Sequence, residues 1–306
     1  MTPWTIARIV LVMFLWAVCF PLIVAGFAYA PHLTFAALRA FLAGAALIGV
    51  GIALRRPWPR GARVWAAVAG VGLGATSLGF LGMFMASEFV SPGIATVLAN
   101  TQPLMAAVLA GMFLNERLGG IGWLGMGLGL GGIVLIALPQ MFTAAVSGFS
   151  LGLAYILLAA VGITISNVLI RAVAGKVDPL MAMGAQLLIG GLPLLAGALV
   201  LEDPASVDWS VNFVLILAAI SLLGSSLAYW LWIAILRTTE LSRANAFSFL
   251  VPAFGLAMGA VFFGERIGWL EATGVGLTLA GIALANRGQG SQSIPDDLDK
   301  AATTTP

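Results

Sequence analysis

Two prolines, Pro103 and Pro252, sit inside apolar stretches, and each follows polar side chains: Asn100, Thr101 and Gln102 before the first, Asn245 and Ser248 before the second. Proline has no amide hydrogen and its ring displaces the preceding turn, so carbonyls near Ala99 and Ser248 lose their helical partners. Free carbonyls beside side-chain amides and a hydroxyl can both accept from and donate to a small polar solute. The competing reading is a kink that serves packing alone, with the amides bonding neighbouring helices.

A second set mixes rings with polar groups: Trp16 and Phe20, then Ser77, Phe80, Met83 and Phe84, then Ser166 and Asn167, and finally Ser225, Ser226, Tyr229, Trp230 and Trp232. Such a set suits an amphipathic solute, although rings in apolar stretches more often pack or face lipid. Tyr229 and Trp232 are favoured, because Tyr229 carries a hydroxyl deep within its stretch. Catalytic chemistry has no comparable support. The single cysteine, Cys19, excludes an intrachain disulfide and a thiolate metal cluster, and the single histidine, His32, has no ligand companions. There is no Walker sequence and no nucleophile paired with a base, so no enzyme activity, cofactor, metal or nucleic-acid partner is expected. No Asp or Glu lies near the middle of an apolar stretch, which leaves no visible intramembrane proton carrier and makes facilitated export plausible.

The elements that must position these residues follow from composition. The chain is 61% hydrophobic and 8% charged, against about 25% charged in soluble domains. Apolar runs fall at 6–27, 33–54, 64–87, 92–114, 120–138, 150–171, 179–201, 209–236, 241–263 and 267–286. Each approaches the roughly 20 residues needed to cross a bilayer. The first resembles a signal peptide only superficially, being too long for an apolar signal core, and reads as a retained span. With ten spans, twelve of the fourteen cations fall on one side and only Arg266 on the other, so both termini are expected in the cytoplasm. Arg39 is the remaining cation, about two turns into the second span. It could attract a carboxylate, but a structural tie through carbonyls or Gln186 is the favoured reading. Residues 288–306 are too polar to span and read as a disordered cytoplasmic tail.

The chain also repeats itself. A shift of 149 residues places Pro103 on Pro252 and Glu116-Arg117 on Glu265-Arg266, and from Pro103 to Leu135 twelve of 33 positions are identical. Halves of five spans, an odd number, must enter the bilayer from opposite sides, as in many secondary transporters. The organisation expected is a first five-helix repeat at 1–140 and a second, inverted one at 147–287. The glycine-rich fifth and tenth spans, with Gly125 and Gly132 matched to Gly274 and Gly281, should allow close helix packing within the chain or between protomers.

The repeated P-x12-E-R pattern, each time followed by a glycine-rich span, resembles the EamA-type families of the drug/metabolite transporter superfamily, and within them amino-acid exporters of the YddG type. Leu114-Asn115-Glu116-Arg117 and Phe263-Gly264-Glu265-Arg266 carry the resemblance, with Trp16 and Arg39 at similar positions; Ala17 departs from the glycine usual after that tryptophan. The resemblance implies a ten-helix exporter working by alternating access in a bacterial inner membrane, with lipid and a small solute as partners and a monomer or weak homodimer as the assembly. The substrate expected is a small neutral or aromatic amino acid, bound by Asn100, Gln102, Asn167, Asn245 and Ser248 with Trp16, Phe20, Phe80, Phe84, Tyr229 and Trp232 around it. A drug or sugar-derivative exporter on the same scaffold is the alternative.

Overall fold

The computed structural model of the 306-residue chain describes residues 1–86, 89, 101–116, 118–141, 149–263 and 268–287. Asn100, the Glu265-Arg266 pair, Arg117 and the tail at 288–306 lie outside the described residues. Among the described residues the structure is helical, with no strand. The helices are α1 (Pro3–Gly26), α2 (His32–Ala53), α3 (Ala62–Ala86), α4 (Gln102–Phe113), α5 (Gly120–Met141), α6 (Phe149–Val173), α7 (Pro179–Leu201), α8 (Val211–Leu236), α9 (residues 241–263) and α10 (Trp269–Arg287). Seven of them, α1 to α3 and α5 to α8, are long and apolar enough to cross a membrane.

Hydrocarbon offers the backbone no partner, so each span closes its own hydrogen bonds and its ends must be capped. Thr2, Asp178 and Ser210 cap α1, α7 and α8 locally, the Asp178 carboxylate accepting from the amides of Leu180 (3.0 Å) and Met181 (3.3 Å). Two other caps come from distant parts of the chain. Glu202, just after α7, accepts from the first amides of α2, Leu33 and Thr34, both at 2.8 Å. Glu116, just after α4, accepts from the first amides of α9, Leu241 and Ser242, both at 3.1 Å.

The two halves meet through matched contacts. α5 and α10 pack along their glycines, so that a Cβ on Gly125 would strike the Gly281 carbonyl and one on Gly132 the Gly274 carbonyl. Because Gly125 and Gly132 are the repeat partners of Gly274 and Gly281, this exchange is that of a pseudo-two-fold axis passing between the two helices. It joins helices of one chain.

A device not anticipated from the sequence interrupts both third helices. Residues Gly72–Leu78 of α3 and Leu222–Leu227 of α8 form π turns at repeat-related positions. A π turn leaves carbonyls poorly paired, and here repeat-related serines span the gap between helices. Ser77 donates to the Gly190 carbonyl at 2.8 Å, and Ser226 to the Ala43 carbonyl at 3.0 Å. These bonds clamp α3 to α7 and α8 to α2.

Candidate functional site

Beside these π turns lies the most buried charge among the described residues. Arg39 is 3% exposed; its Nε donates to the Ser225 hydroxyl at 2.9 Å, one terminal nitrogen meets Cys19 Sγ at 3.5 Å, and the guanidinium lies 4.2 Å from the Phe80 ring centre. The other terminal nitrogen, Nη1, has no partner among the described residues. The tie expected between Arg39 and Gln186 is not made. Gln186 instead accepts from the Thr76 hydroxyl at 2.9 Å, because each residue reaches the π turn of the opposite half. α2 starts at His32 and α7 at Pro179, an offset of 147 that makes Arg39 and Gln186 repeat partners and their two bonds repeat images.

The aromatic candidates divide into three groups. Trp16 packs edge-on against Tyr229 (6.3 Å between centres) and Trp232 (5.4 Å), and the Trp232 indole donates to Asn167 Oδ1 at 2.8 Å. Tyr229 stands one turn beyond Ser225, the residue that Arg39 binds, so this cluster adjoins the cation, and Phe80 lies against the guanidinium as well. Phe84 belongs elsewhere, in the closure described below. Phe20 is 47% exposed and makes no ring contact among the described residues, which sets it apart from the cluster it was expected to join.

The expected break in α9 is present. Residues Leu241–Asn245 form an α turn, Ala246–Phe249 a 3-10 turn, and the α-helix resumes at Leu250; the Ser248 carbonyl, which an amide at Pro252 would have met, lies in the 3-10 turn. Ser248 donates to the Asn245 carbonyl at 2.7 Å, so its hydrogen is engaged within the turn. Among the described residues, Asn245, 1% exposed, has no partner for its Nδ2, and Gln102, 7% exposed, none for its Nε2. Pro103 stands in the first turn of α4 beside Gln102, and α4 packs against the first turn of α9, its far end held there by Glu116. Two unmet amide donors thus lie on helices that pack together, one at the start of α4 and one beside the interruption of α9. Buried donors are left unpaired rarely, since each costs roughly 1–3 kcal/mol.

The two ends of the bundle are closed by different chemistry. On the side away from the chain termini, Phe84 packs against Phe27 (5.8 Å), Phe35 (5.5 Å) and Phe80 (6.4 Å), and Phe35 against Phe213 (5.4 Å). On the termini side, Glu116 joins four helices: it caps α9, pairs with Arg171 of α6 at 3.2 Å, and Arg171 in turn donates to the Leu236 carbonyl of α8 at 3.0 Å. Beside it, burial and the neighbouring Glu116 carboxylate push the Glu240 carboxyl above its ordinary range, against the opposing pull of Arg243 and Arg171. Sequence reasoning identified Glu116 as a repeated turn residue but not as a cap. Its repetition at a span end was the available signal; the helix it would cap was not.

Ten helices in two halves related by a pseudo-two-fold axis, with unmet polar groups between them, define a carrier-type membrane protein. The EamA-like transporter family model matches residues 3–138 and again 150–287. The chain therefore belongs to the EamA-like transporter family, and is a multi-pass membrane transporter rather than an enzyme. It is 33% identical to a WAT1-related chloroplastic protein of Arabidopsis thaliana over 84% of this chain and 63% of that protein's length. It is also 33% identical to an uncharacterized transporter of Synechocystis, over 82% of this chain and 80% of the other. A "probable amino-acid metabolite efflux pump" of Salmonella typhimurium is 28% identical over 89% of this chain and 91% of the pump. A solved crystal structure that is 19% identical superposes with a TM-score of 0.79 over 94% of this chain and 98% of the other, a likeness of fold.

Proposed function

We propose that the protein exports small neutral or aromatic amino acids across a bacterial inner membrane by alternating access, with both termini cytoplasmic and the halves 1–140 and 147–287 moving against each other. The observation that carries this reading is the pair of buried amide donors, Gln102 Nε2 and Asn245 Nδ2, unmatched among the described residues and borne by two helices in contact. Unmatched donors suit the carbonyl or carboxylate oxygens of an amino acid, and the Trp16, Tyr229 and Trp232 rings suit its apolar side chain. The efflux-pump relative from Salmonella supports the same substrate class. Twelve of fourteen cations on the termini side support the orientation.

Purified protein in liposomes should then give saturable counterflow of labelled threonine, methionine or phenylalanine. A panel in which only drugs or sugar derivatives show counterflow would replace this substrate class with another on the same scaffold.

A further inference from the structure

The two halves contain an internal control for the role of Arg39. At repeat-related positions, Arg39 binds Ser225 and Gln186 binds Thr76, each bond joining the second helix of one half to the π turn of the other. The neighbouring serine clamps are likewise matched. A neutral amide therefore makes this tie by itself. The positive charge is the part of Arg39 that the tie does not require.

That charge is also uncompensated. Every described Asp and Glu lies in a loop or in the first turn of a span, and the described ion pairs join Arg56 to Asp178 and Arg171 to Glu116, not Arg39 to anything. Its neighbours, the Ser225 hydroxyl, the Cys19 sulfur, the Phe80 face and the Tyr229 phenol, are all formally neutral. Water could satisfy the free Nη1 but would bring no counter-charge. A buried cation in a membrane protein is costly unless it is paired, and an arginine fork with one open edge matches an oxyanion.

We propose that Arg39 is a carboxylate-binding subsite: the free edge of its guanidinium takes the carboxylate of the transported solute, and Tyr229 with Trp16 and Trp232 encloses the rest. This deepens the amino-acid reading above and, as to the kind of solute, rests on it. It requires every good substrate to carry a carboxylate, a charge that the neutral amides of Gln102 and Asn245 do not balance.

Cys19, the only cysteine in the sequence, touches Arg39 and serves as a reporter. In wild-type proteoliposomes, phenylalanine should slow alkylation of Cys19 at least fivefold, while phenylalaninamide and phenethylamine should not. Arg39→Gln, which copies the partner half, should keep its thermal stability within a few degrees and lose the acid-over-amide preference; Arg39→Lys should keep part of it. Equal protection by acid and amide in the wild type, or protection by neither, overturns the assignment whether or not any variant folds. An unchanged preference in Arg39→Gln overturns it as well. Protection by other carboxylates but not their amides, without amino-acid counterflow, would retire the substrate reading and leave the subsite standing.

Discussion

The two ends of the bundle are sealed by opposite means. The side away from the termini is closed by Phe27, Phe35, Phe84 and Phe213, rings in edge-to-face contact that share dispersion and carry no charge. On the termini side the Glu116 carboxylate holds the start of α9 and an arginine of α6, and Arg237 and Arg243 donate to the Ala174 and Asn286 carbonyls beside it. An apolar plug of this kind is insensitive to salt and pH and yields when something displaces its rings. A carboxylate clamp weakens as ions or protons compete for it. In an exporter loading from the cytoplasm, the end that must admit solute is thus held by contacts that water can replace, and the end that must release it by contacts that water cannot.

Three substitutions break or sharpen this contrast. The largest effect is expected for Phe84→Ala, which removes the ring at the centre of the plug and should cost about 3–5 kcal/mol in stability, as for other buried phenylalanines. Thermal unfolding in detergent checks the loss, and an impermeant thiol reagent applied from the far side should reach Cys19 faster. Next, Glu116→Ala removes one cap, which accepts from two amides, and an ion pair, together worth about 2 kcal/mol once the partial exposure of Arg171 is discounted. Its loss should narrow the difference in stability between low and high salt, a difference that Phe84→Ala leaves intact. Smallest is Glu240→Gln. The Glu240 carboxyl is raised in the folded state, by burial and by Glu116, so its protonated form is favoured there. Its stabilising contribution is present below its ordinary value and lost as pH rises through the raised one. Wild-type melting temperature should accordingly fall across that window, and Glu240→Gln should flatten the slope.

Much of this architecture was legible in the sequence because it depends on patterns along the chain. The span from Pro179 to Leu201 was read to the residue, since Asp178 before Pro179 is a local start signal and the apolar run ends at Glu202. The break in α9 was legible from Pro252 for the same reason: a missing amide acts within one turn. What could not be read depends on partners far apart in the chain. The π turns have no composition of their own, and their serines are explained only by the carbonyls of Gly190 and Ala43 on other helices. The Arg39–Gln186 tie failed as an expectation because the correspondence of the two residues was mistaken for contact. Residues related by a pseudo-two-fold axis need not touch, and these two make equivalent bonds at separate places. Phe84 and Phe80, one turn apart, do touch, and the plug and the cation adjoin through them: Phe80 also lies on Arg39 and Phe84 on Phe27.

The central claim is that the unmatched amides of Gln102 and Asn245 are held for a solute. A donor that serves only the fold should destabilise the protein when removed, whereas an orphaned donor should not. The direct measurement is concentration-dependent counterflow of labelled phenylalanine by Asn245→Ala, beside its melting temperature. The prediction is a melting temperature equal to or above that of the wild type, with the half-saturating concentration raised about fivefold, the worth of one hydrogen bond. Unchanged saturation, or a loss of stability that accounts for any loss of transport, would contradict it.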